Sequence, residues 1–296
     1  MMKLETADLL TASEIGPMSY AEALQIFALA RAEGWNPGTF DLACAWASDP
    51  DAFIALRHRE TMIAGGSIFR HSADFGFMGL FIVEPRYRGH GLGRRLWHDR
   101  LARLRARLAP DAVIAMDGVF EMERFYAAGG FEPAYETTRY QGMARPATVT
   151  QVDPALHLDS APRHDAILAL DRRTLPYDRS GLLRKWLVLP ETIQVVAFRE
   201  GRLVGFGLAR PAASGFKIGP LITREPDVAR ALFAELVARV AGHQIQIDVP
   251  VPNHEGVALA LSHGLAPVFG CRRMYFGGKP AEDLSSIYAA MSLEFG

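Results

Sequence analysis

Residues 77–96 read FMGLFIVEPRYRGHGLGRRL, and the rest of the chain is ordered around them. The run from Phe77 to Val83 is short, continuous and apolar, the pattern of a buried strand. Pro85 ends it, and Arg88-Gly89-His90-Gly91-Leu92-Gly93 follows. From Leu92 the apolar residues Trp97, Leu101, Leu104 and Leu108 recur at helical spacing, with Arg94, Arg95, Arg100, Arg103 and Arg107 on the remaining faces. Such an arginine run reads as a solvated helix face. Glycines just before a helix let backbone N–H groups converge on an anion, and the helix dipole adds partial positive charge. Strand, glycine turn and helix predict a diphosphate cradle.

Spacing narrows the ligand. A dinucleotide fingerprint starting at Gly89 requires glycine at position 94, which is Arg94; a Walker A loop requires a lysine, and none lies nearby. What stands is Arg-x-x-Gly-x-Gly. Residues 112–116 (AVIAM) read as another buried strand, followed by Asp117-Gly118 and then by residues 123–133, ERFYAAGGFEP. The loop in its strand-to-helix setting, with the tyrosine before Gly-Phe, resembles the GNAT superfamily of N-acetyltransferases.

That resemblance implies an α/β (α+β) fold, a mixed twisted sheet flanked by helices, whose fourth and fifth strands splay to admit a pantetheine arm. It implies acetyl-CoA as cosubstrate; separately, the histidine and cysteine spacing predicts no metal. Amides of Arg88, Gly89, His90, Gly91, Leu92, Gly93 and Arg94 would hold the diphosphate, and Phe81, Ile82 and Val83 would align the pantetheine like an added strand. Tyr126 matches the family tyrosine near the sulfur, a general acid for the leaving thiolate. The fourth strand carries no glutamate, so proton removal is expected through water or through Asp117, the candidate base or amine anchor, with Glu84, Glu121 and Glu123 as alternatives. Trp35 and Phe40, in a Gly/Pro-containing stretch between two predicted helices, are candidates for the acceptor wall.

The chain repeats itself. An offset of 140 residues takes Gly65 to Gly205 and Gly79 to Gly219, and Gly130-Phe131-Glu132-Pro133 reappears as Gly264-Leu265-Ala266-Pro267. The second copy reads Arg224-Glu225-Pro226-Asp227 where the first has its glycine loop, and Ala260 stands for Tyr126. Two tandem GNAT-like domains follow, residues 1–145 catalytic and residues 150–296 degenerate, joined by a polar linker within residues 143–154. The runs at residues 177–180 and 250–253 are candidates to close over the first domain's acceptor site.

The 296 residues, 49% hydrophobic and 22% charged, suit two globular domains. A net charge of −1 argues against a nucleic-acid or anionic-membrane partner. The N-terminus lacks a signal-peptide pattern, and Cys44 and Cys271 are the only cysteines, so a cytoplasmic location is expected. The nine histidines show no metal-ligand spacing. The expected activity is acetyl transfer to a primary amine, on a small molecule or a peptide, by a monomer or homodimer. The alternative is a non-catalytic acyl-CoA sensor.

Overall fold

The computed structural model describes residues 6–146 and 153–296, with side chains from residue 8 onward. In the first copy, α1 (Thr6–Thr11) and β1 (Ser13–Pro17) precede α2 (Tyr20–Ala32) and α3 (Asp41–Ser48). There follow β2 (Phe53–His58), β3 (Thr61–Arg70), β4 (Phe75–Val83), α4 (Leu92–Ala106), β5 (Val113–Gly118), α5 (Glu123–Ala128) and β6 (Glu132–Met143). The second copy runs through the same series: β7 (Leu156–Asp159), α6 (His164–Thr174), α7 (Ser180–Trp186), β8 (Ile193–Arg199), β9 (Arg202–Pro211) and β10 (Phe216–Thr223). Then come α8 (Pro226–Arg239), β11 (Gln244–Pro250), α9 (His254–Ser262), β12 (Ala266–Phe276) and a last strand without a counterpart, β13 (Ile287–Ala289). The repeat legible in sequence is a repeat of elements.

Local chemistry sets several boundaries. Ser19 and Glu22 form a reciprocal capping box that starts α2. The β2–β3 turn closes through Arg59 and Glu60 and the β8–β9 turn through Glu200 and Gly201, all at positive φ, the twist-matched geometry of tight hairpins. Met143 still belongs to β6, so the linker begins later than expected, and its residues 147–152 lie outside the described residues.

The two copies do not keep separate sheets. One sheet runs β1-β2-β3-β4-β5-β12-β6-β11-β10-β9-β8-β7, with β13 paired to β10. The closing strands are exchanged: β12 enters the first half between β5 and β6, while β6 pairs with β11 of the second. Each copy therefore completes its partner. One buried cluster joins Phe27, Phe53, Phe69 and Phe77 to Trp186, Phe206 and Phe295. Buried ion pairs also cross between the halves, Arg139 with Asp248, Arg210 with Asp41 and Arg273 with Asp117.

Two parallel pairings sit at equivalent places. β4 meets β5 only at residues 75–77, and β10 meets β11 only at residues 216–218; beyond those residues each pair of strands is no longer hydrogen-bonded. The first divergence is open and the second is filled. β13 lies along β10 with Leu221 opposite Ala289 and Ile222 opposite Ile287, and Ala290 N–H donates to the Asp248 carbonyl of β11 at 2.9 Å.

The arginine run on α4 needs correcting. Arg100 is not solvated but fully buried, donating to the Ser67 and Gly79 carbonyls at 2.5 and 2.7 Å. Arg107 grips the Asp49 carboxylate at 2.6 and 2.7 Å.

Candidate active site

Where β4 and β5 diverge, a cleft of about 800 Å³ opens, within the range of small-molecule sites. It runs from the glycine loop, past β4, to a wall built by both halves. Leu80 has φ +51°, and the β3–β4 register slips beside it, so β4 bulges at the middle of the cleft. Past the bulge Phe81, Ile82 and Val83 line the cleft along β4.

At one end, Gly89 and Gly91 adopt φ +82° and +79°, values a side-chain-bearing residue reaches at a cost, and Gly91 is the residue that starts α4. No side chain caps that helix, so the first-turn N–H groups lack intrahelical partners and are available to an anion. Arg88, Gly89, Gly91, Leu92, Gly93 and Arg94 line this end; His90 belongs to the same turn but not to the lining. The Arg88 side chain turns away: its Nε donates to the Val83 carbonyl at 2.9 Å and its guanidinium pairs with Glu33.

Tyr126 on α5 borders the cleft, with its ring 5.0 Å from the Trp97 ring. Burial pushes its phenol up to about 12, against the opposing pull of Arg100. Burial in turn lowers Arg100 to about 9, and its Nε and Nη1 find no partner among the described residues. Asp117 also borders the cleft, but both its oxygens are taken by Arg273 at 2.8 Å. Burial raises this carboxyl, and Arg273 opposes the rise. Asp117, expected as base or amine anchor, is thus ion-paired to Arg273 through both oxygens.

The far wall is where sequence reasoning fell short. Trp35 lines it, held by Arg139, whose Nη1 donates to the Trp35 carbonyl at 2.5 Å. Phe40 does not reach the cleft; it precedes α3, partly buried. Residues 177–180 and 250–253 do not line it either. Tyr177 stacks on Phe75 at 3.7 Å, while Asn253 caps α9 and donates to the Ser285 and Ile287 carbonyls. The second half instead contributes Phe269 and Cys271 from β12, and Leu293 and Glu294 beyond β13. No local motif marks these four residues.

In the second copy the corresponding features are absent or blocked. Glu225 and Asp227, at the start of α8, are both paired with Arg199. Its strand gap holds β13, with Tyr288 and Ala289 fully packed. Among the described residues no group of three or more potential metal ligands occurs, and no helix is long and apolar enough to cross a membrane.

Comparison with known proteins agrees with this geometry. Residues 20–131 match the family described as "Acetyltransferase (GNAT) family", and residues 167–289 match "Acetyltransferase (GNAT) domain". The chain is 28% identical over 283 residues, 95% of its length and 93% of the relative's, to the holothin acyltransferase of Pseudoalteromonas sp. (strain SANK 73390). It is 25% identical over 173 residues to the uncharacterized N-acetyltransferase YitH of Bacillus subtilis, covering 58% of this chain and 60% of that one. Among solved structures, a putative acetyltransferase from Pyrococcus horikoshii superposes with a TM-score of 0.79 at 20% identity, covering 96% of both chains. A tandem GNAT protein from the clavulanic acid biosynthesis pathway superposes at 0.66 with 14% identity, covering 90% of this chain and 99% of that one.

Proposed function

Because this chain belongs to the GNAT acyltransferases as a tandem-domain member, we propose that its first copy transfers an acetyl group from acetyl-CoA to a small primary amine, by direct attack within one cleft. One contrast carries this reading: the gap beyond the β4–β5 pairing opens into a cleft, while the equivalent gap in the second copy is filled by β13. The residues fit the cosubstrate. The first-turn amides of α4, with Gly89 and Gly91 shaping the approach, suit a diphosphate. The Phe81–Val83 stretch past the bulge suits an extended amide-bearing arm.

Tyr126 is assigned the general acid that protonates the departing sulfur. A phenol pushed up to about 12 stays protonated through neutral pH, as that role requires. Trp35, Phe269 and Leu293 form an apolar acceptor wall, suited to a flat or hydrophobic amine. Holothin, named by the 28%-identical relative, belongs at the head of an acceptor panel alongside 2-phenylethylamine, tyramine and amino-acid amides.

Free-thiol release from acetyl-CoA across that panel is the test. The expected result is amine-dependent turnover that drops about 10²- to 10⁴-fold in Tyr126→Phe, with CoA affinity measured by calorimetry changing less than about threefold. Turnover unchanged in Tyr126→Phe would remove the tyrosine from the mechanism. No turnover with any acceptor would remove acetyl transfer to small amines.

A further inference from the structure

We propose that Glu294, carried on the segment that follows β13, is the residue that binds the acceptor nitrogen and takes the proton it sheds as the new C–N bond forms. The inference rests on the acetyl-transfer reading above and adds the base that the first copy's own strands do not supply.

β13 occupies the second copy's strand gap, the chain crosses Gly219 with the Ala290 carbonyl, and it then reaches the equivalent glycine of the first copy, Gly79. A Cβ built on Gly79 would stand 2.0 Å from the Glu294 carbonyl oxygen, so the segment lies directly against β4, one residue before the Leu80 bulge. Glu294 is 3% exposed and lines the cleft. The Ser292 hydroxyl donates to its Oε2 at 2.6 Å and accepts from its own N–H at 3.0 Å, fixing the side chain. Oε1 accepts no hydrogen bond among the described residues, so one oxygen is anchored and the other remains for a ligand.

Arg139 of β6 and Lys217 of β10 both act on Glu294 electrostatically, and both also face Asp248 of β11. Arg139 holds Asp248 at 2.6 and 2.9 Å, while Lys217 stands 3.6 Å from it with its Nζ lacking a hydrogen bond. Of the other carboxylates that line the cleft, Asp117 is paired with Arg273 and Glu33 with Arg88, while Glu121 stands in the first copy's turn before α5. Glu294 is the carboxylate that the second half brings to this wall, anchored through one oxygen.

The step balances as follows. A neutral amine, its N–H directed at Oε1, adds to the thioester carbonyl; the C–N bond forms and the carbonyl π pair moves to oxygen. The nitrogen, now positively charged and far more acidic, gives its proton to the Glu294 carboxylate. The oxygen's electron pair re-forms the carbonyl as the C–S bond breaks, the sulfur takes a proton from Tyr126, and Glu294 releases its proton to solvent while Tyr126 regains one.

The test separates binding from proton transfer. Acetyl transfer to 2-phenylethylamine, tyramine and the rest of the amine panel is measured for the full chain, Glu294→Gln, Glu294→Ala and Glu294→Asp, together with CoA affinity and melting temperature. Glu294→Gln retains an accepting oxygen but cannot take a proton, so kcat falls about 10²- to 10³-fold with KM within about threefold. Glu294→Ala loses both roles, and KM rises at least about tenfold as well; Glu294→Asp recovers part of the lost kcat. Wild-type turnover with Glu294→Gln within about threefold of it overturns this assignment while leaving acetyl transfer intact. Loss of CoA binding or of folding in Glu294→Gln, with Glu294→Asp equally inactive, assigns Glu294 a structural role and also overturns it. A wild-type chain inactive on every amine overturns both readings together.

Discussion

At the scale of single residues, the cleft depends on charges that the sequence shows but does not place. Arg100 sits in a helix repeat of arginines and reads like its neighbours, yet it is fully buried, with two guanidinium donors on β3 and β4 carbonyls and the remaining nitrogens unpartnered. Its charge is the one that opposes the upward shift of the Tyr126 phenol. In Arg100→Met that opposition is gone, so tyrosinate formation, followed by ultraviolet titration, moves above about 12, and kcat drops on the order of tenfold as the acid weakens. Unchanged tyrosinate titration in this variant would disconnect the two groups. Arg94 and Arg95 on the same helix offer no sequence contrast with Arg100. What distinguishes it is Gly66 on β3, where a Cβ would come within 2.4 Å of the guanidinium carbon, and that contact is tertiary.

At the scale of elements, the glycine loop and its helix were readable because a strand, two positive-φ glycines and an amphipathic helix are consecutive in the chain. Copies of the hairpin and of the Gly-Phe turn were readable for the same reason. The segment after β13 was not: its importance lies in which strands it crosses, and MSLEFG carries no periodic signal. Aromatic packing holds it, Phe295 contacting Phe27, Phe53 and Phe69, together with a hydrogen bond from His71 Nε2 to the Phe295 carbonyl at 2.6 Å. Burial lowers His71 to about 4, and the carbonyl partner only partly offsets it. The sign of the consequence follows from linkage. Between about 4 and the ordinary histidine value near 6.5 the unfolded chain binds the proton and the folded chain does not, so stability falls as pH drops through that window. Urea midpoints measured from pH 7 to pH 4 are expected to decline, and the decline should flatten in His71→Gln. A parallel slope in both proteins would place the acid sensitivity elsewhere.

At the scale of the whole molecule, strand exchange was invisible for a physical reason. The closing strands β6 and β12 are equivalent members of the two copies, so either could pair within its own half or across, and the alternation of apolar and polar residues is the same in both arrangements. Only partners far apart in sequence decide it: Arg273 of β12 finds Asp117 of β5, and Arg139 of β6 finds Asp248 of β11. The division into residues 1–145 and 150–296 thus separates repeats but not sheets. A fragment of residues 1–145 would keep the glycine loop and Tyr126, yet it would lack β12 between β5 and β6 and expose both edges. It would also bury Asp117 without Arg273, the kind of unpaired charge whose loss of partner costs about 3–5 kcal/mol. The expected outcome is a first-half fragment that aggregates or binds CoA at least about tenfold more weakly than the full chain. Coexpression with residues 146–296 should restore binding through reassembly, since the exchanged strands supply a large mutual surface. Denaturation of the intact chain should proceed in a single transition followed identically by fluorescence and circular dichroism. A soluble first-half fragment with full CoA affinity, or two separated transitions, would show that each half closes its own sheet, and Phe269 and Cys271 of β12 would then not stand on the first copy's acceptor wall.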